Sequence, residues 1–300
     1  RRFAHRIEIK LTDKWVNITE AALQCINVER GDDLVAIAEA ELRIRLASIG
    51  LPNSVLKALA QYPETRRTLA GNKYCSQELL HMLASDPQSD VRSAIATNPK
   101  VRASTLLLLA KDPDRNVRQA VARNRLTSDD AIKILAKDPD WWVRSDIAKR
   151  EDLSPGEVEL LARDHQYNVR AAVASNSCCS ADVLEQLAAD KESRVRSSVA
   201  INYNSGSDVL EQLSKEYDWD VLRALVDNKK TSGKAWMRAF RRMRSILDGE
   251  WERNYREGID EIHPFAMIVE SPSAVADALK ELIAEDDYYV RQGVAGSASA

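Results

Sequence analysis

Cysteine is scarce in this chain, and the few present are not arranged to hold a metal. The 300 residues contain four, Cys25, Cys75, Cys178 and Cys179. None of their spacings is that of a zinc or iron–sulfur ligand set. Cys178 and Cys179 are adjacent, a placement that rarely bridges, so the thiols read as reduced and the protein as cytoplasmic. The four histidines, His5, His81, His165 and His263, share no motif. A Gly-rich phosphate loop, a nucleophile elbow and a metal-ligand pair are all missing. The sequence therefore offers no support for an enzyme, a cofactor or a small-molecule substrate. No apolar run reaches the roughly eighteen residues of a membrane span. Neither sign of charge dominates: 43 Lys and Arg stand against 46 Asp and Glu, a net charge of −3. Bulk charge thus does not mark the whole chain as a polyanion binder.

What is present is a period. Val91-Arg92, Val117-Arg118, Val143-Arg144, Val169-Arg170 and Val195-Arg196 recur at a fixed interval, and a sixth copy keeps Val221 but has Leu222 in place of Arg. Leu83-Ala84 recurs as Leu109-Ala110, Leu135-Ala136, Leu161-Ala162 and Leu187-Ala188, then as Leu213-Ser214. An acid follows each: Asp86, Asp112, Asp138, Asp164, Asp190 and Glu216. Pro87, Pro113 and Pro139 follow the acid in three copies. Asn98, Asn124, Asn176, Asn202 and Asn228 close the copies, with Arg150 the exception. A short fixed period marks a solenoid whose repeats contact mainly their neighbours.

Each repeat reads as a helix pair. Leu80 and Leu83 share one helical face, as do Leu184 and Leu187. Ser76, Ser128, Ser154 and Ser180 precede these runs, where a hydroxyl caps free backbone donors. Acid-Pro ends the first helix. The second apolar run, from Val91 to Ala96 and its equivalents, is about two turns long and reads as α or 3₁₀. Asn after it suits the left-handed conformation that stops a helix. No strand signal interrupts the pattern.

The pattern L-x-x-L-A-x-D-P-x-x-x-V-R-x-A-V-A-x-N resembles the leucine-rich repeat variant, a HEAT-like α-solenoid repeat. It covers Ser76 to Asn228. A degenerate copy precedes it (Ser54, Leu56, Leu59-Ala60, Arg66, Ala70, Asn72), and another follows at Leu279, Leu282-Ile283-Ala284, Asp286, Val290-Arg291 and Val294-Ala295. The resemblance implies an all-α, right-handed solenoid of about 26-residue repeats, pairing an α-helix with a short α or 3₁₀ helix. Repeat folds host many roles, so the resemblance does not name a function.

The organisation that follows has four parts. Residues 1–50 form an atypical N-terminal cap or the tail of a preceding domain, with alternation over Arg6–Ile18 and a helical face at Leu34, Ile37, Ala38, Leu42 and Leu46. Residues 51–228 are the solenoid, regular over 76–228. Residues 229–270 are a basic helical insertion. Residues 271–300 are a final repeat, truncated. Without an initiator Met, the chain reads as a piece of a longer modular protein.

Three features are candidate interaction sites. The first is the Arg row, Arg92, Arg118, Arg144, Arg170 and Arg196, which either binds phosphate or an acidic partner or pairs with the acid row. The second is the variable position two before each Val, which carries Trp141, Tyr167, Trp219 and, in the last copy, Tyr288, with Trp142 and Tyr289 adjacent. These rings either form a displayed ridge or cover the seams between repeats. The third is the basic segment, where nine Lys/Arg stand against four acids between Lys229 and Glu257. Trp236, Phe240, Met243 and Leu247 make one apolar stripe there. Lys234, Arg238, Arg241, Arg242 and Arg244 lie largely off it, as a phosphate- or acid-binding face or a solvated back. The reading is a non-catalytic scaffold for a protein partner; the alternative is nucleic acid along the Arg and aromatic rows.

Overall fold

The computed structural model describes residues 40–256, apart from the side chains of residues 41, 42, 244 and 247–256. The alternating segment Arg6–Ile18, the helical face at Leu34, Ile37 and Ala38, and the last repeat with Tyr288 and Tyr289 lie outside the described residues. The described residues form helices and turns, with no strand among them. They divide into two compact units, one ending at Leu135 and the other beginning at Ala136.

The first unit opens with α1 (Ala40–Ser48). Its leucine helices are α2 (Asn53–Leu59), α4 (Gln77–Leu83), α6 (Ala103–Leu109) and α8 (Asp129–Leu135). Its Val-Arg helices, or their degenerate equivalent, are α3 (Pro63–Gly71), α5 (Ser89–Thr97) and α7 (Arg115–Arg123). The second unit alternates in the same way. Its Val-Arg helices are α9 (Trp141–Ala148), α11 (Tyr167–Ser175), α13 (Ser193–Ile201) and α15 (Trp219–Asp227). Its leucine helices are α10 (Pro155–Ala162), α12 (Ala181–Leu187), α14 (Ser207–Leu213) and the much longer α16 (Gly233–Arg256). The Val-Arg helices are α, which resolves the choice between α and 3₁₀.

Helices of seven to nine residues do not hold themselves in water, so packing must stabilise them. In the first unit α3 packs on α5 and α5 on α7; in the second α9 packs on α11, α11 on α13 and α13 on α15. Neighbouring leucine helices touch one another far less. The small row Ala96, Ala122, Ala148, Ala174 and Ala200 explains the difference, because all five are fully buried and let helix backbones approach closely. Val91, Ile95, Val195 and Val199 on the Val-Arg helices, and Leu80 and Leu184 on the leucine helices, are all without solvent access. Each such side chain contributes about 1.5–3 kcal/mol by leaving water.

The Asn row acts differently from its expected left-handed stop. Asn98, Asn176 and Asn202 have φ between −66° and −74° and ψ between 126° and 128°, which is extended backbone. The side chain does the work instead. Asn202 Nδ2 donates to the carbonyls of Ala174 (2.7 Å) and Asn176 (3.0 Å) in the preceding repeat. Its Oδ1 accepts the N–H of Asn204 at 2.8 Å. Asn98, Asn176 and Asn228 repeat this arrangement. One amide thus satisfies the free carbonyls at the end of the previous Val-Arg helix and shapes the turn after its own. At the exceptional position, Arg150 pairs with Asp152 (2.6 Å).

The serine caps are uneven. Ser76 Oγ accepts from Leu79 N and Ser180 Oγ from Val183 N. Glu157 reaches back to the N–H of Ser154 at 2.7 Å. Ser128 Oγ is buried without a hydrogen bond, so the expected cap is not formed there. Cys75 and Cys179 share a buried row with Thr127, Ser205 and Thr231, whose hydroxyls bond to backbone carbonyls six residues earlier. Burial pushes both thiols up to about 11, whereas Cys178 is exposed.

Two outcomes follow. Asn202→Ala loses two buried donors and should cost about 2–3 kcal/mol in urea unfolding, against under about 0.5 for the exposed Gln186→Ala. Brief iodoacetamide treatment near neutral pH should alkylate Cys178 while leaving Cys75 and Cys179 unmodified, as read by peptide mass spectrometry.

Candidate functional site

The Arg row and the acid row meet, and they meet between repeats. Arg144 donates from Nε and Nη2 to the two carboxylate oxygens of Asp164 at 2.6 and 2.9 Å. Its Nη1 donates back to the carbonyl of Asp138 in its own repeat at 2.7 Å. Arg170 clasps Asp190 (2.6 and 2.8 Å) and the Asp164 carbonyl (2.7 Å) in the same way. In the first unit Arg92 does so with Asp112 (2.6 and 2.9 Å) and the Asp86 carbonyl (2.8 Å). Arg118 Nη1 donates to the carbonyls of Asp112 (2.8 Å) and Pro113 (3.1 Å). Each Asp also closes its own turn: Asp164 Oδ1 accepts the N–H of Gln166 at 2.8 Å. The planar guanidinium fork fits this geometry and an ammonium does not.

Burial of the clasp varies along the row. The side chains of Arg144 and Asp164 are each 7% exposed, while Arg196 and Glu216 are 18% and 25% exposed. Glu216 is one methylene longer, and Arg196 Nε is shared between its two oxygens, both at 2.9 Å. Burial alone would raise the Asp164 carboxyl. The Arg144 hydrogen bonds and the Gln166 N–H outweigh it, and the net shift is downward. Asp190 is lowered by the same balance. The hydrogen bonds that Arg144 donates to Asp164, working against burial, raise Arg144.

The row ends by reversing polarity. Leu222 is fully buried. By count, Arg242 stands where the next acid would be. It donates to the carbonyl of Glu216 (3.3 Å), the group that an Arg at 222 would have served, and stacks over the Tyr217 ring at 4.0 Å. Helix α16 itself starts as a leucine helix does: Ser232 Oγ accepts from Ala235 N, in the position of Ser76 and Ser180. Trp236, Phe240 and Met243 are fully buried, with the Trp236 and Phe240 rings stacked at 5.4 Å. Arg238 bonds to Glu211 (2.5 Å) and Ser214 Oγ (2.9 Å). Lys234 and Arg241 are exposed, and the Arg244 side chain lies outside the described ones.

The aromatic row is half displayed. Trp142 is 51% exposed and stacks on Trp141 with centroids 4.0 Å apart and planes 24° apart. Trp141, Tyr167 and Trp219 are partly buried at the starts of α9, α11 and α15. Tyr217, which was not a sequence candidate, is 69% exposed. A second basic row was also missed. Lys111, Lys137, Arg163 and Lys215 stand just before the acid, after a buried Ala or, at 215, the buried Ser214, and all four are exposed. Their signal is a recurrent base next to the acid. Among the described residues no cluster of three His, Cys, Asp or Glu side chains could hold a metal ion, and no helix is long and apolar enough to cross a membrane.

No protein-family model matches the chain, and no curated protein does. A solved structure described as a leucine-rich repeat variant with a novel repetitive protein structural motif is similar over 88% of this chain and 88% of that one. The identity is 24% and the TM-score 0.51. An engineered protein of known structure matches over 95% and 93% of the two chains at 14% identity, with a TM-score of 0.29. The first likeness shows that the chain has the fold of a leucine-rich repeat variant.

The clasp makes stability depend on acid pH. Asp164 has a lowered folded pKa, so its contribution is complete above the unfolded value of about 3.9 and is lost as pH falls through the folded value. Asp164→Asn should therefore destabilise the protein by on the order of 3 kcal/mol at neutral pH. Urea titrations should show that gap narrowing steadily below about pH 4.

Proposed function

We propose that this chain is a non-catalytic scaffold whose second unit binds a protein partner through its displayed aromatic side chains. Trp142 carries the reading. A half-exposed Trp stacked on a second Trp offers a large, rigid apolar surface with little conformational entropy left to lose. It stands at a position that the repeat varies, on helices whose inner rows are spent on packing. Nucleic acid is the weaker reading. Its best ligands would be guanidinium groups, and those of Arg92, Arg144, Arg170 and Arg196 are already bonded to carboxylates.

The test is affinity purification with the intact chain, identification of the retained protein, and titration of that purified partner. Trp142→Ala should weaken binding by at least about tenfold, the effect of losing a hot-spot residue, with an unchanged melting temperature. Equal affinity for wild type and variant would remove Trp142 from the interface. In parallel, fluorescence anisotropy with short DNA and RNA at about 50 and 200 mM salt should show no steep, salt-sensitive binding. Such binding would replace the scaffold reading with the nucleic-acid one.

A further inference from the structure

The Arg–Asp clasp sorts the cations of each repeat into two kinds. The guanidiniums of Arg92, Arg144, Arg170 and Arg196, each next to the repeated Val, are spent on carboxylates. The base just before the acid is not part of the clasp. In the second unit this leaves Lys137, Arg163 and Lys215 on the turns that lead into α9, α11 and α15, all exposed. The fourth turn, into α13, has Ala189 at that position but carries exposed Lys191 two residues later. The same edge presents Trp142, and Tyr217 with the Arg242 guanidinium on its ring. The matching acids are occupied: Asp164, Asp190 and Glu216 are held by Arg144, Arg170 and Arg196. Asp140 and Asp218 accept backbone N–H groups at helix starts. Glu192 and Asp220 remain between the cations.

We propose that this turn edge binds an extended acidic peptide segment of the partner, with a carboxylate at every third residue. The proposal rests on the scaffold reading and names the chemistry of its ligand. The spacing argues for it. The Val-Arg helices of this unit pack directly on one another, so successive turns are about 8–10 Å apart. A polyproline-II segment has three residues per turn and rises about 3.1 Å per residue, so its residues i and i+3 share a face about 9 Å apart. Carboxylates on that face meet one cation per repeat. The intervening residues lie over the aromatic rings, which is how such segments dock on aromatic-lined grooves. A nucleic-acid strand fits less well. Its charge is continuous, and Glu192 and Asp220 interrupt the basic edge.

The probe is a fluorescein-labelled peptide of about five Glu-Pro-Pro units, titrated with the intact chain and read by anisotropy at about 50 and 200 mM salt. Binding that weakens at the higher salt is expected. The triple variant Lys137→Glu/Arg163→Glu/Lys215→Glu should lose roughly tenfold or more of it. The milder Lys137→Gln/Lys215→Gln should lose less, with the melting temperature of both checked against wild type. A peptide of the same composition with its Glu residues in one block should bind several-fold more weakly; equal binding overturns the spacing argument. No binding of the spaced peptide at the lower salt overturns the proposal. So does binding of an oligothymidylate in its place. A partner that depends on Trp142 but is indifferent to the charge reversals would leave the scaffold reading standing and sink this one alone.

Discussion

A bidentate guanidinium–carboxylate pair between one repeat and the next is the interaction on which the architecture depends. Apolar burial supplies most of the free energy, but it is nearly indifferent to register. Leucines and valines sliding past one another would lose little. A planar fork that must meet two oxygens of the next repeat and a carbonyl of its own tolerates no such slide. Arg144, for instance, is bonded at once to Asp164 and to the Asp138 carbonyl. The charge is nearly out of water, so the pair is worth most as a specifier of geometry. The Asn row adds a second constraint at the other end of the Val-Arg helix, again by reaching into the preceding repeat. Two polar rows thus hold a stack of helices that are individually too short to persist.

Much of this was legible in the sequence because identical environments recur. A residue that returns at every period, such as the Val, the Ala or the acid, announces a repeated contact. The type of contact was less legible. Arg and Asp in equal numbers suit both pairing and display, and only the structure shows the guanidinium meeting an acid twenty residues later. Asn was expected to stop helices through its own backbone. It does so through its side chain, because carbonyls of the preceding repeat lie within reach. Ser128 looks like Ser76 in sequence yet makes no cap.

The display surface was the hardest part to read. Attention goes to the base that recurs most faithfully, and fidelity here marks a structural bond. The bases that vary in identity, Lys137, Arg163 and Lys215, are the ones in water. In the same way the paired aromatics Trp141 and Trp142 split their duties, one half-covered at the helix start and the other presented. A repeat protein separates the two tasks by row. Core rows are constrained by neighbours of the same kind, and surface rows are free to differ from repeat to repeat.

The reversal at Leu222 and Arg242 bears on how such a chain can lengthen. The junctions at Arg92, Arg144, Arg170 and Arg196 share one polarity, a guanidinium reaching forward to an acid, so a duplicated repeat inserted among those of one unit would find both partners waiting. The α15–α16 junction differs: a regular copy placed there would offer an acid to Leu222, which has no charge to give, and Arg242 already donates to the carbonyl that the clasp needs. Duplication of a regular repeat can therefore enlarge this protein from within, whereas the α15–α16 junction accepts a regular repeat only when Leu222 and Arg242 both revert.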